Sequence, residues 1–290
     1  MKRYGLALSG GGARGAAHVG VLKALAEEDL LPDTVAGTSA GSIVAGLYAS
    51  GLEISQMEAA VLYLAQNGLN YLDPDYMALL ELFPQLLAGA PVGLSGLIKG
   101  DRLLKFLDDL TDGKHLKDAV VRLVIPAVDI NSGDTIVYTN SPQTEPLDHI
   151  RWETEGSLSE IMMASASVPA VFAPRRLQKY LLVDGGVTDN LPGNLLNAAG
   201  ERRVISVDIG SGYEKPQDDS IVEVVSHSFS IMSGRLKECG STNEILLLNP
   251  KLSDKAGLLT FDQMPDCMEA AYRYTKSRLP EIHQRLLSSY

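Results

Sequence analysis

Tyr4-Gly5-Leu6-Ala7-Leu8-Ser9-Gly10-Gly11-Gly12-Ala13-Arg14-Gly15 changes from apolar to glycine-rich in one step. Tyr4 to Leu8 reads as a buried strand. Residues 14–28 read as a helix, with Ala16, Val19, Leu22 and Leu25 at helical spacing. A strand that feeds a helix through glycines is a building block of parallel sheets. The glycines let backbone N–H groups converge on one point, and the dipole of the following helix favours negative charge there.

The same alternation continues outward. A short strand at Val35-Ala36 precedes Gly37-Thr38-Ser39-Ala40-Gly41, and helices are predicted over 41–50 and 53–66. Strands are predicted over 120–130, 135–139, 180–183, 204–207 and 245–248. Helices are predicted over 101–110, 157–165, 220–236 and 263–287. No repeat, low-complexity tract or polar linker interrupts the pattern. It predicts an α/β fold with a mostly parallel central sheet covered by helices on both faces, built as one domain over 1–290. In such sheets ligands bind beyond the carboxyl ends of the strands. Residues 68–100 have a different texture, apolar and broken by Pro84, Gly89, Pro91, Gly93 and Gly96. This excursion is either a lid that meets lipid through Leu79, Leu82 and Phe83 or a segment packed on the sheet. The region from 211 to 290 is assigned to packing.

Composition narrows the partners. The chain has 290 residues, 45% hydrophobic and 21% charged, with a formal net charge of -11. An acidic chain without a basic cluster argues against nucleic acid and against electrostatic docking on anionic membranes. Apolar, peripheral membrane contact stays open. Cys239 and Cys267 form no metal or CxxC spacing, which fits a reducing, cytoplasmic setting. No run is apolar and long enough to span a bilayer. Composition is silent on oligomeric state.

Two further motifs carry chemistry. Gly37-Thr38-Ser39-Ala40-Gly41 places a serine on a strand-to-helix turn, where flanking glycines permit a tight elbow and a helix N-terminus faces the serine. The alternative is a serine that merely caps the helix. Asp184-Gly185-Gly186 ends a strand, and the alternative there is an ordinary turn carboxylate. The glycine string also matches a dinucleotide fingerprint, but the second strand ends in Ala36-Gly37 where that motif wants an acid. No lysine follows the glycines, so a phosphate-binding P-loop fails too. An oxyanion hole from Gly10, Gly11, Gly12 and Ala13 is the better match. Arg14 either bonds to the loop backbone or meets a substrate phosphate, the first being preferred. The usual α/β-hydrolase order is also a poor fit, because Ser39 follows only the second strand. None of His18, His115, His149, His227 and His283 sits in a motif for a catalytic base. Asp184 is better placed, although an aspartate with its ordinary pKa near 3.9 is a weak base for a hydroxyl.

On Ser9-Gly-Gly-Gly-Ala-Arg-Gly15, Gly37-Thr-Ser-Ala-Gly41, Asp184-Gly-Gly186 and the segment Ala164 to Pro174, the chain resembles the patatin-like phospholipase family. The likeness covers roughly Tyr4 to Val207. It implies a three-layer α/β/α sandwich and hydrolysis of lipid acyl esters through a Ser39–Asp184 dyad. It also implies the Gly10 to Gly15 loop as oxyanion hole, with Gly37, Gly41, Gly185 and Gly186 as motif support. It implies neither a metal nor an organic cofactor. An acyltransferase using the same acyl-enzyme and a non-catalytic lipid-binding module remain the alternatives.

Overall fold

The computed structural model describes residues 3–74, 96–142, 144–210, 221–239 and 243–287. In its first half lie β1 (Gly5–Leu8), α1 (Ala16–Ala26), β2 (Thr34–Gly37), α2 (Ala40–Ala49), α3 (Ile54–Asn67), β3 (Gly96–Ile98) and α4 (Asp101–Thr111). Then come β4 (Arg122–Asp129), β5 (Thr135–Thr139), β6 (Ile150–Glu153), α5 (Leu158–Ser165), β7 (Ala170–Phe172), β8 (Arg175–Leu177) and β9 (Tyr180–Asp184). The last are α6 (Gly193–Ala198), β10 (Val204–Val207), α7 (Ile221–Cys239), β11 (Leu246–Leu248) and α8 (Met264–Leu287).

The central sheet runs β11-β10-β1-β2-β4-β5-β6. Its first five strands are parallel, as the strand–helix alternation predicts. Beyond β4 the rule changes. β5 lies antiparallel to β4, while β6 is parallel to β5. β9 also pairs antiparallel with β4 and with β8, and β3 and β7 form a separate parallel pair. Strands β3 and β6 to β8 escape the sequence reading because they lack the fully buried apolar pattern that marks the equally short β1 and β10.

Side chains sort by the two-residue period of a strand. Leu6, Leu8, Val35, Leu123, Ile125, Ile136 and Tyr138 face one core, built with α1, α2, α3, α5 and α8. Their neighbours Ala7, Ala36, Val124 and Val137 face the other, against Leu195 and Leu196 of α6. Large residues therefore fill one layer, and small ones let α6 lie close on the opposite face.

Helix α1 is buried on every side rather than along one stripe, with His18, Gly20 and Val21 as inaccessible as Leu22 and Leu25. The cause is α8, which packs along the outer face of α1. A methyl group at Gly20 would collide with the Met268 carbonyl and approach the Tyr272 amide at 2.9 Å. Gly20→Ala gains about 1 kcal/mol of helix propensity but loses more to overpacking, which typically costs about 1–3 kcal/mol where there is room to relax. Because the obstruction is backbone, we expect a net loss of about 2 kcal/mol, read from the urea midpoint.

The excursion closes on itself at its base. The Asp73 carboxylate accepts the N–H groups of Gly100 at 2.7 Å and Asp101 at 3.1 Å, and Pro74 bridges to Ile98. Leu79, Leu82 and Phe83, which a lid would present to lipid and a packed segment would turn to the sheet, lie outside the described residues. Among the described residues no helix is long and apolar enough to cross a membrane.

Candidate active site

Ser39 begins α2 with φ 54° and ψ -126°, a left-handed backbone that a side chain rarely adopts. Such conformations cost about 1–3 kcal/mol and persist only where the surroundings impose them. Here Gly37 and Gly41 permit the close backbone approach that the turn requires. A Cβ at Gly37 would strike the Gly41 carbonyl, and one at Gly41 would lie 2.7 Å from the Ser9 carbonyl oxygen. Hydrogen bonds complete the clamp. Gly41 N–H donates to the Thr38 carbonyl (2.9 Å) and Ser39 N–H to Ser165 Oγ of α5 (3.1 Å). The Ser42 hydroxyl donates to the Ser39 carbonyl at 2.6 Å. The Ser39 side chain makes no capping bond to α2, so its hydroxyl is not held as a helix cap.

Asp184 arrives by a route that parallel strands do not supply. Along one edge, β4 pairs first with β2, at Arg122 to Val124, and then with β9, at Ala127 to Asp129. β9 thus occupies the place in the sheet just beyond the carboxyl end of β2. Being antiparallel, it carries its final residue back toward Ser39. Gly185 makes that approach possible, since a Cβ there would lie 3.0 Å from the Pro126 carbonyl carbon and 3.1 Å from the Thr38 methyl. Asp184 is fully buried. Its Oδ1 accepts Gly186 N–H at 2.7 Å, and its own N–H donates to the Ser167 carbonyl at 2.9 Å.

Burial pushes the Asp184 carboxyl up to about 7, against the opposing pull of the Ser39 hydroxyl and the Gly186 amide. This removes the objection that aspartate is too weak a base, because a proton acceptor works best when its pKa lies near the working pH. The Ser39 hydroxyl is near enough to favour the carboxylate. The pair nevertheless falls short of strict hydrogen-bond geometry, and Oδ2 is left without a partner. Contacts of this kind are often loose before substrate binds.

The glycine loop is narrower in donors than the sequence suggests. Gly10 N–H is committed to the Asn190 carbonyl at 3.1 Å. Ala13 N–H is shared between the carbonyls of Gly257 and Leu258, at 3.3 and 3.1 Å. Among the described residues, the N–H groups of Gly11 and Gly12 donate to no carbonyl. Of the four amides, those two alone are without a backbone partner among the described residues. Gly12 takes φ 59°, and a Cβ on it would lie 2.7 Å from the Leu258 carbonyl oxygen. Gly15 similarly gives way to the Ala40 methyl. Arg14 is half-buried, and its charge is felt by Cys267 of α8, whose thiol burial pushes up to about 11.

Two of the histidines are engaged elsewhere. His18 lies fully buried, with Nε2 2.8 Å from the Ser9 carbonyl, and burial holds its pKa down to about 4. His149 pairs with Asp134 on an exposed edge. Among the described residues no group of three or more His, Cys, Asp or Glu side chains is gathered as metal ligands would be.

Beside Ser39 opens an apolar cavity of about 130 Å³. Ile43 and Leu47 of α2 line it, one and two turns from the serine, facing Met57 and Val61 of α3 and Phe106 of α4. Leu258, Leu259, Phe261 and Met264 close another side. The C-terminal region, read from sequence as packing alone, therefore both pins the glycine loop and walls the cavity. Nothing in its local sequence signals this, because its contribution is two carbonyls and a few apolar side chains.

A strained serine at the rim of a mostly parallel sheet lies next to a buried carboxylate in an α/β fold. The sequence model of the patatin-like phospholipase family matches residues 6–196, and the chain belongs to that family. It is 31% identical over 209 residues to a patatin-like phospholipase domain-containing protein of Caenorhabditis elegans, covering 71% of this chain and 14% of that one. It is 29% identical over 208 residues to an NTE family protein of Mycobacterium tuberculosis, covering 72% and 30%. It is also 29% identical over 228 residues to human patatin-like phospholipase domain-containing protein 6, covering 78% and 14%. The chain thus spans less than a third of the length of these relatives. VipD from Legionella pneumophila shares the fold, with a TM-score of 0.51 at 17% identity over 97% of this chain and 67% of that one.

Proposed function

We propose that the protein is a serine hydrolase of lipid acyl esters, of the phospholipase A, lysophospholipase or esterase type, working through Ser39 and Asp184. The observation that carries this reading is the uncapped Ser39 hydroxyl beside a carboxylate that burial brings to about 7. Ser39 Oγ attacks the ester carbonyl carbon while Asp184 takes its proton. The carbonyl oxygen becomes negative and is held by the N–H groups of Gly11 and Gly12, aided by the N-terminus of α2. Collapse expels the alcohol, which takes the proton from Asp184 and leaves an acyl-serine. Water then attacks, Asp184 accepts its proton and returns it to Ser39, and a free fatty acid departs. No cofactor enters this cycle.

Membership of the patatin-like phospholipase family supports an acyl ester substrate, and the apolar cavity supports an acyl chain as the group bound next to Ser39. A cavity of about 150 Å³ holds a group the size of benzene, so the enclosed space suits a short chain or the first part of a longer one. The test is a fluorophosphonate probe followed by a phospholipid and neutral-ester panel. Labelling at Ser39 with release of free fatty acid is expected. Absence of both would remove the reading, and transfer of the acyl group to added glycerol would make the protein a transferase.

The cavity makes a second prediction. Ser39, Ile43 and Leu47 stand on one face of α2, and eight residues of helix rise about 12 Å. Leu47 therefore sits at the depth reached by the far end of the chain. Leu47→Phe should lower kcat/KM on long p-nitrophenyl esters at least about tenfold relative to the butyrate, since each excluded methylene is worth about 1–3 kcal/mol. Parallel loss on all chain lengths would show that the acyl group lies elsewhere.

A further inference from the structure

Asn190 is not part of any motif described above, yet it touches the glycine loop and the Asp184 loop, and its neighbour Asp189 bonds to the serine elbow. Its carbonyl accepts Gly10 N–H at 3.1 Å, and the preceding carbonyl, of Asp189, accepts the Thr38 hydroxyl at 2.9 Å. Its side chain fills two spaces that glycines leave open. A Cβ at Gly10 would collide with Asn190 Oδ1 and lie 3.0 Å from Ser39 Cβ. A Cβ at Gly186 would lie 3.0 Å from Asn190 Oδ1, 3.0 Å from Asp184 Oδ1 and 3.1 Å from the tip of the Phe229 ring. The carboxamide is thus wedged between the glycine loop and the loop of the proposed base, with Ser39 on one side and Asp184 on the other. Among the described residues it is in no hydrogen bond.

The position has a mechanical consequence. Ser39 and Asp184 stand on separate loops, and the contact between them is short of hydrogen-bond geometry. Their separation is set by whatever holds those loops apart. A displacement of about 1 Å at a reacting group can lower a rate on the order of a hundredfold. We propose that Asn190 is a positioning residue whose carboxamide fixes the spacing of Ser39 and Asp184 through Gly10 and Gly186. This rests on the Ser39–Asp184 reading above. The carboxamide contacts the loops, not the acyl cavity, so its loss should alter turnover and leave ester binding alone.

Asn190→Ala keeps the backbone bond to Gly10 and removes only the wedge. With p-nitrophenyl butyrate, kcat should fall about tenfold or more while KM stays within about twofold. The rate of fluorophosphonate labelling should fall with kcat, and the thermal midpoint should stay within a few degrees. A kcat within about twofold of wild type, or a fall in kcat that merely follows a lost thermal transition, would overturn the proposal. Asn190→Leu, uncharged and nearly the same shape, keeps the wedge and guards against a fold defect in the alanine variant. It should hold kcat within about threefold of wild type at unchanged KM. A kcat as low as that of Asn190→Ala in this variant would also count against the role. A wild-type protein that takes no label at Ser39 overturns both readings, whereas a labelled wild type matched in rate by Asn190→Ala overturns this one alone.

Discussion

Asp184→Asn is expected to abolish ester hydrolysis and, in the same protein, to raise the melting temperature at pH 8. The two effects share one cause. Burial lifts the folded-state pKa of Asp184 from 3.8 to about 7, so the fold prefers the protonated carboxyl. The stability conferred by that proton is fully present below pH 4. It is lost as the pH rises through 7, and the loss is on the order of 4 kcal/mol when complete. Asparagine carries no charge to bury, and its carbonyl can still accept the Gly186 N–H that Oδ1 now holds at 2.7 Å. A net gain on the order of 2 kcal/mol, or about 5 °C, is expected at pH 8.

His18 and Asp189 titrate in the same range and must be separated from this effect. The folded pKa of His18 is held down to about 4, so His18 contributes stability that is lost as pH falls from about 6.5 toward 4. Asp189 is pushed up to about 6 by desolvation. Both are present in wild type and variant, so the difference between the two pH–stability curves isolates position 184. That difference should be near zero at pH 4, grow as the pH rises toward 7 and level off above it. For catalysis the sign is opposite, because the base must be ionised. Wild-type kcat/KM should fall on the acid side with an inflection near pH 7. An unchanged melting temperature at pH 8, with an inflection near 4, would show that the carboxylate is solvated and its environment misread.

Ser39 separates chemistry from strain. Ser39→Ala and Ser39→Gly should each lower kcat at least about a thousandfold, since both remove the nucleophile. Their stabilities should differ. Alanine inherits φ 54° with its penalty, and its midpoint should lie close to wild type. Glycine adopts that backbone freely and releases about 1–3 kcal/mol of strain, less about 0.5–1 kcal/mol for the greater freedom of the unfolded chain. A stabilisation of about 1 kcal/mol over Ser39→Ala is expected in urea. Residual activity in Ser39→Ala at the wild-type level would assign the nucleophile elsewhere. Equal stability of the two variants would mean that the turn is not strained at the serine.

Much of the fold was legible because it is local. Thr135–Thr139 and Val204–Val207 were delimited to the residue, and α2, α4 and α8 to within one or two. Each begins or ends on turn chemistry or a clear hydrophobic period. Strands β3 and β6 to β8 were not legible, nor was the reversal of direction at β5 and β9, since a strand's own residues do not record the direction of its neighbour. The glycine loop was legible as a turn between strand and helix, but not which of its amides lack a backbone partner. Gly10 and Ala13 are bound by carbonyls of residues 190, 257 and 258, far along the chain.

The sequence by itself determined the alternation that makes a mostly parallel sheet, the two elbows that only glycine permits, and the residue types at 39 and 184. Backbone sterics and side-chain periodicity are properties of a few neighbouring residues, so they can be read in one dimension. Only the tertiary structure decided that Asp184 lies beside Ser39. β9 enters antiparallel in the space where β2 stops, and no residue in either strand encodes that pairing. The tertiary structure also decided the acidity of Asp184, because a pKa near 7 follows from the water excluded by β4, α5 and the loop around it, and desolvation is a property of everything packed about a group rather than of the group itself.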